Sequence, residues 1–324
     1  MVDARARVRA LQLYVAAMPA AAADPSADER CNFYHRLADA LITHQFRQAW
    51  RLQALSDLSK LPDPEEGYRY RGGEQPGTPV DEAGEPIYYA VPESFDKATS
   101  DGERWRWALQ AAADAVPARA AQSATAYADF LNEQFGVQTM AQFGDWFGAY
   151  RDDDAGKNRP QTFALHTLAD DETIARLATG IRRFKLPREH DPIRIYREVA
   201  AGNTGYASQA LDALAAIYEN RRQYDRAAET WAEGIRRFGD QNHRTERRRQ
   251  IVDAWGTFEP GTVQPAGRGA ELSFRFRNAK SVKFTAHAVK FELLLNDVKT
   301  YLKKNPGRID WNRVNIDNIG SRLV

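Results

Sequence analysis

Two apolar stripes at helical spacing, separated by a short turn, constrain this chain more than any other feature. Leu211, Leu214, Ile217 and Tyr218 recur at one helical face. After a break, Tyr224, Ala227, Ala228, Trp231, Ile235 and Phe238 do the same, with Gly239 placed as a C-terminal stop. Small residues at Ala215 and Ala227 let two antiparallel helices approach closely, while Leu214, Tyr218 and Trp231 fill the groove between them. One such pair leaves apolar surface uncovered, so neighbouring helices must stack on it. The pattern specifies a scaffold and says nothing of a reaction.

The spacing of Leu214, Ala215, Tyr218, Tyr224, Ala227 and Trp231 closely resembles that of a tetratricopeptide repeat. The segment before it fits the same helix-turn-helix plan with a degenerate signature. Asp170 or Asp171 is expected to cap a helix holding Ile174, Leu177, Ile181 and Phe184, and Asp191-Pro192 to open another with Ile193, Tyr196 and Val199. Upstream, Trp105, Leu109, Ala112 and Val116 share one helical face. Pro117 suits the first turn of the next helix, which carries Tyr127, Phe130, Leu131 and Phe135 to a stop at Gly136. Residues 139–150 extend the helical pattern up to Asp152-Asp153-Asp154, a solvated loop rather than a calcium site. Phe33 to Leu58 is a further stripe without Gly or Pro, for one or two helices ending at Pro62 and Pro64.

Two regions break the helical period. Between residues 62 and 101, Gly, Pro, Glu and Tyr dominate, and Asp81-Glu82-Ala83-Gly84 is turn chemistry suited to a small β-hairpin. Tyr68, Tyr70, Tyr88 and Tyr89 are a candidate aromatic contact surface there, weighed against the commoner use of such tyrosines to pack a loop onto its own scaffold. Near the C-terminus, Glu271 to Arg277 alternates strictly, with Leu272, Phe274 and Phe276 on one face. Val282, Phe284, Ala286 and Ala288 alternate again, predicting a second strand of the same hairpin. Phe291, Leu294, Leu295, Val298, Tyr301 and Leu302 then return to helical spacing. Two strands and a helix are too little for a stable sheet domain, so truncation inside a β-domain is the expectation.

Charge and composition exclude several classes. Lys+Arg 45 against Asp+Glu 44 leaves a net charge of +1, which gives no long-range pull toward nucleic acid or anionic lipid. No stretch approaches the roughly 20 apolar residues that span a bilayer. Arg5, Arg7 and Arg9 before residues 10–18 faintly resemble a signal peptide, but Gln12, Tyr14 and Pro19 interrupt the run, and an amphipathic helix is expected instead. The single cysteine rules out an internal disulfide framework. Cys31, His35 and Asp39 form a row at helical spacing; without a pocket and an oxyanion site it is a poor nucleophilic triad. Gly72-Gly73 and Gly267-Arg268-Gly269 lack the setting of a phosphate loop. Neither a cofactor nor a metal is expected.

The run Phe274-Arg275-Phe276-Arg277-Asn278-Ala279-Lys280-Ser281-Val282-Lys283-Phe284, followed by the helix Val289 to Lys304, resembles part of bacterial alpha-2-macroglobulin-like proteins. Gly102 to Trp107 and Ala169 to Leu177 are similar to their helical portion. The resemblance implies an endopeptidase-inhibitor architecture in the cell envelope, with a protease or other domains of the same larger chain as partner. The family's Cys-Gly-Glu-Gln thioester has no match here, since Cys31 is followed by Asn32-Phe33-Tyr34.

The expected fold is therefore mainly α: a solenoid of tetratricopeptide-like repeats with a C-terminal hairpin-plus-helix element of an incomplete β-sandwich. The expected divisions are a helical segment over 1–61, an irregular insertion over 62–101, repeats over 102–250 and a truncated β-domain over 251–324. The expected function is non-catalytic, as a protein-interaction segment of a large inhibitor. The alternative is a free-standing, cytoplasmic adaptor that binds peptide segments of a partner protein.

Overall fold

The computed structural model describes residues 4–42, 49–62, 77–143, 164–241, 243–259, 267, 269, 271–285 and 291–304. The chain is mainly helical, with two small antiparallel sheets, and divides into two compact units, 1–252 and 253–324. No helix among the described residues is long and apolar enough to cross a membrane.

In the first unit, α1 (Ala4–Ala22), α2 (Ala27–Ile42), α3 (Asp101–Ala115) and α4 (Ala120–Phe135) each pack on the next. Their ends follow local chemistry. Ser100 caps α3 by accepting the Glu103 N–H at 3.1 Å, while the Glu103 carboxylate reaches back to the Thr99 N–H at 2.6 Å. Pro117 opens the 3₁₀ turn that leads into α4, and Gly136 closes α4 by donating to the Asn132 carbonyl at 2.8 Å. Leu11, Leu37, Leu41, Trp105, Leu131 and Phe135 are almost wholly buried in the shared core.

Helical structure stops earlier after α2 than the unbroken stripe predicts. A 3₁₀ turn at Ala49–Gln53 gives way at Ala54, and tertiary bonds draw the chain out of the helix. The Asp101 carboxylate accepts from the Ser56 N–H (3.1 Å), the Ser56 hydroxyl (2.5 Å), Arg7 (2.9 Å) and Arg104 (3.1 Å). Four donors on a carboxylate that is 1% exposed outweigh the weak local helix preference of residues 54–61.

The predicted helix over 170–184 is instead a hairpin of β1 (Glu172–Leu177) and β2 (Gly180–Lys185), in register Leu177↔Gly180 through Glu172↔Lys185. Ile174, Leu177, Ile181 and Phe184 satisfy a helical period by coincidence. Gly180 at φ +124° sets the turn, a backbone region closed to side-chain-bearing residues. Tertiary contacts then hold the strand: Thr173 donates to the Phe135 carbonyl, and the Arg176 N–H donates to the Thr139 hydroxyl at 3.0 Å. Gly77–Thr78 runs parallel along β1, with Thr78 N–H to Arg176 O at 3.0 Å and Ala178 N–H to Thr78 O at 2.8 Å. In the insertion, the described residues form a tight turn at 81–84 with a single Val80↔Pro86 bridge rather than a hairpin ladder.

Four more helices follow among the described residues of the unit: α5 (Pro192–Ala200), α6 (Gly205–Asn220), α7 (Tyr224–Phe238) and α8 (Arg244–Val252). Asp191 caps α5 through the Ile193 N–H at 2.9 Å, with Pro192 at the first helical position. Again each helix packs on its neighbours in sequence.

The second unit contains β3 (Trp255–Phe258), β4 (Phe274–Arg277) and α9 (Phe291–Lys304). The alternation predicted for β4 is present, but its partner is β3, upstream, and residues 281–285 form no strand. Aromatic contacts decide the pairing. Phe258 and Phe274 stand directly opposite with ring centroids 4.9 Å apart, and Phe284 packs edge-on against Phe274 at 5.1 Å. Gly256 makes room, since a Cβ there would lie 2.4 Å from the Phe274 ring. Ala286 and Ala288 lie outside the described residues.

Candidate functional site

The repeat-like residues occupy the interface of α6 and α7. Leu214, Ala215, Tyr218, Ala227 and Trp231 are 0–5% exposed, whereas Tyr224, at the first residue of α7, is 46% exposed and stays outside the interface. Trp231 also donates from Nε1 to the Glu219 carboxylate at 2.6 Å, so its indole is both packed and bonded.

On one side of this pair lies a groove of about 350 Å³, walled by α5 and α7 and floored by Leu214 and Tyr218 of α6. Arginines stand at both ends. At one end Arg197 and Arg226 hold the Asp170 carboxylate from two directions, at 2.6 and 2.5 Å. Both also reach the Tyr218 hydroxyl, at 2.8 and 3.2 Å, and the Arg226 guanidinium lies 4.2 Å over the Tyr218 ring. Burial pushes the Asp170 carboxyl upward, but hydrogen bonds from Arg226 and Arg197 more than offset this and hold it below the ordinary carboxylate range. At the other end Arg237 donates to the Ala200 and Gly202 carbonyls at 2.7 and 2.5 Å and pairs with Glu233 at 3.0 Å.

Sequence reasoning placed Asp170 as a helix cap and passed over Arg197, Arg226 and Arg237. Their only signal is their position: Arg197 and Arg237 precede α5 and α7 C-termini, where arginine is unremarkable. The carboxylate that unites Arg197 and Arg226 comes from the loop before β1.

The tyrosines divide. Tyr89 does not belong to a contact surface: it is 4% exposed, its hydroxyl donates to the Ala49 carbonyl at 3.0 Å, and burial raises its pKa. Tyr88 is half-buried and stacks on the His190 ring at 4.6 Å and 5°. Both therefore pack the insertion onto its own scaffold. Tyr68 and Tyr70 lie outside the described residues.

His190 sits in a buried cluster. Its Nδ1 shares a hydrogen bond with the Tyr127 hydroxyl, and the Arg106 guanidinium lies 3.4 Å from the Tyr127 ring centre. Burial lowers the His190 pKa to about 4 and raises that of Tyr127 to about 12, so the imidazole is neutral at physiological pH. Cys31 is fully buried with its thiol pKa raised by desolvation, and burial lowers that of His35. A protonated thiol shielded from solvent is a poor nucleophile. Among the described residues, no group of three or more His, Cys, Asp or Glu is arranged to hold a metal ion.

Comparison with known proteins supplies no relative: no family model, no curated protein and no solved structure matches this chain.

Proposed function

We propose that this chain works by binding rather than by catalysis, as a scaffold of tetratricopeptide-like helix pairs that offers the α5–α7 groove to an extended segment of a protein partner. The observation that carries this reading is the α6–α7 pair: Leu214, Ala215, Tyr218, Ala227 and Trp231 fill its interface while an open, polar-rimmed groove remains on its flank. Sequential packing of α1 to α4 and of α5 to α8 agrees with an array of helix pairs. Grooves of this size on rigid helices are suited to side chains of a bound peptide.

The test is a displayed peptide library selected on the full chain, with hits measured by calorimetry. Saturable binding that Arg237→Glu weakens supports the reading. The absence of any saturable peptide ligand overturns it.

A second reading, the helical shoulder of an alpha-2-macroglobulin-like endopeptidase inhibitor, draws support from the second unit. Phe258 and Phe276 on a two-stranded ribbon, and Phe284 packed beside it, are more than half exposed, an apolar face of the kind a larger β-domain covers. Reading the gene beyond the codon for Val324 tests it. A frame that continues into further β-domains supports it, and an immediate stop overturns it.

A further inference from the structure

Arg106 of α3 is a cation that the fold desolvates without giving it a counter-charge. Its guanidinium lies over the Tyr127 ring of α4, 3.4 Å from the ring centre, and the residue is half-buried. Its Nε is closed off from solvent and has no hydrogen-bond partner. Among the described residues no carboxylate lies within ion-pair distance of it. The one neighbour that favours its charge is the Tyr127 phenol, and burial lowers its pKa. The acids of the same helix are committed elsewhere. Asp101 accepts from Arg7, Ser56 and Arg104, Glu103 holds the Thr99 N–H and hydroxyl, and Asp114 accepts from Gln110 at 2.8 Å. Glu189 stands beside His190, 3.9 Å from its Nε2, with its side chain 70% exposed and no pair to Arg106.

On energetic grounds the arrangement is incomplete. Taking a guanidinium out of water costs more than the attraction of one aromatic face returns. Desolvated donors normally find acceptors, and this side chain carries five N–H groups, none of them bonded to a described residue. Stacking over Tyr127 fixes the guanidinium while leaving its N–H edge free. Tyr127 is itself held by the hydrogen bond it shares with His190 Nδ1, and His190 by the Tyr88 ring stacked on it at 4.6 Å. A fixed, desolvated planar fork without a partner is a preorganised receptor for a planar pair of acceptor oxygens.

We infer that Arg106 anchors a binding site for a carboxylate-bearing ligand at the junction of α3, α4 and the His190 turn, separate from the α5–α7 groove. A carboxylate suits the site better than a phosphate dianion does. The cation there is single, Glu189 adds a negative charge close enough to act on Tyr127 and His190, and both of those are uncharged at neutral pH. The fork takes one planar monoanion in two parallel bonds and needs no second cation. The inference does not depend on the peptide-binding reading above, and either can fail while the other stands.

The experiment titrates the full, nitrogen-15-labelled chain with sodium acetate at constant ionic strength and follows the arginine Nε–H resonances by nuclear magnetic resonance. The Arg106 signal is assigned by its loss in Arg106→Lys, and exposed Arg222, assigned in the same way, is the control. The Arg106 signal is expected to saturate with a Kd of about 10 mM or tighter, while that of Arg222 drifts without saturating. An unsaturated drift at Arg106 overturns the inference, and phosphate binding there more tightly than acetate overturns the carboxylate assignment. Arg106→Met is the second test. It removes an uncompensated cation, so its melting temperature in buffer is expected to stay level or rise. Wild type is expected to gain about 3 °C in about 100 mM acetate, and Arg106→Met to gain nothing. A fall of more than about 4 °C in the melting temperature of Arg106→Met marks a cation kept for stability and overturns the inference, as does an equal acetate effect on both chains.

Discussion

Arg244 is wholly buried, and the stability of the α6–α8 region is expected to hinge on it. Its guanidinium makes a bidentate pair with Asp212 of α6, at 2.6 and 2.9 Å, and donates to the Ser208 hydroxyl at 2.5 Å. Further bonds reach the carbonyls of Ser208, Gly234 and Gly239 at 3.2–3.3 Å. One side chain from α8 thus fastens both helices of the repeat-like pair. Gly234 keeps the channel open, since a Cβ there would lie 3.3 Å from Arg244 Cδ and Nε. Arg244→Ala removes the cation from a buried network, and Asp212 loses its bidentate partner and several carbonyls lose a donor. Breaking such a pair from one side costs about 3–5 kcal/mol. For a unit of this size each kcal/mol moves the melting temperature by about 2–4 °C, so a fall of about 6–20 °C is expected. Urea unfolding followed by tryptophan fluorescence measures it, with Trp231 of α7 a reporter close by. Arg244→Met keeps much of the volume and is expected to cost nearly as much, because donors rather than bulk are lost. Adding Asp212→Leu to Arg244→Met is expected to recover more than about 1 kcal/mol, by removing a carboxylate that has lost its bidentate partner. A loss below about 1 kcal/mol for Arg244→Ala refutes the reasoning, as does full rescue by Met alone.

Trp231→Ala opens a cavity between α6 and α7 and removes one of the Glu219 carboxylate's two partners, Arg247 remaining, and is expected to cost about 3–5 kcal/mol by the same unfolding assay. An unchanged melting temperature would remove the interface role. Gly102→Ala places a Cβ 2.3 Å from the Tyr89 ring, so Tyr89 must move and its bond to Ala49 is lost; a fall of about 1–3 kcal/mol in urea stability is expected. His190 gives a pH dependence with a defined sign. Its folded pKa, about 4, lies below the ordinary 6.5, so the unfolded chain takes up a proton that the folded chain refuses. Stability from this group is therefore full above pH 6.5 and declines by up to about 3 kcal/mol as pH falls to 4. In His190→Gln the slope over that window should flatten, read from melting temperatures at pH 7, 5.5 and 4.

The sequence alone determined the elements whose information is local. The starts and stops of α4 at Pro117 and Gly136, of α5 at Asp191-Pro192 and of α7 at Gly239 rest on caps and breakers that act over one helical turn. The burial of Leu214, Ala215, Tyr218, Ala227 and Trp231 follows from a periodicity that two adjacent helices satisfy between themselves. Tertiary structure decided what depends on partners distant in the chain. Residues 172–185 carry a pattern compatible with helix or strand, and the choice fell to Gly180, to the Phe135 carbonyl and to the edge offered to Thr78. Phe274–Arg277 is legible as a strand, but its pairing with Trp255–Phe258 was selected by rings that meet only after the chain folds back. The groove is the extreme case. Arg197, Arg226 and Arg237 look like ordinary solvated charges in sequence. Only when α5, α6 and α7 stack does Asp170, from a separate loop, bring two of them onto a single carboxylate. Local propensity carries no record of that encounter, because its energy lies in long-range charge pairing and desolvation rather than in the preferences of neighbouring residues.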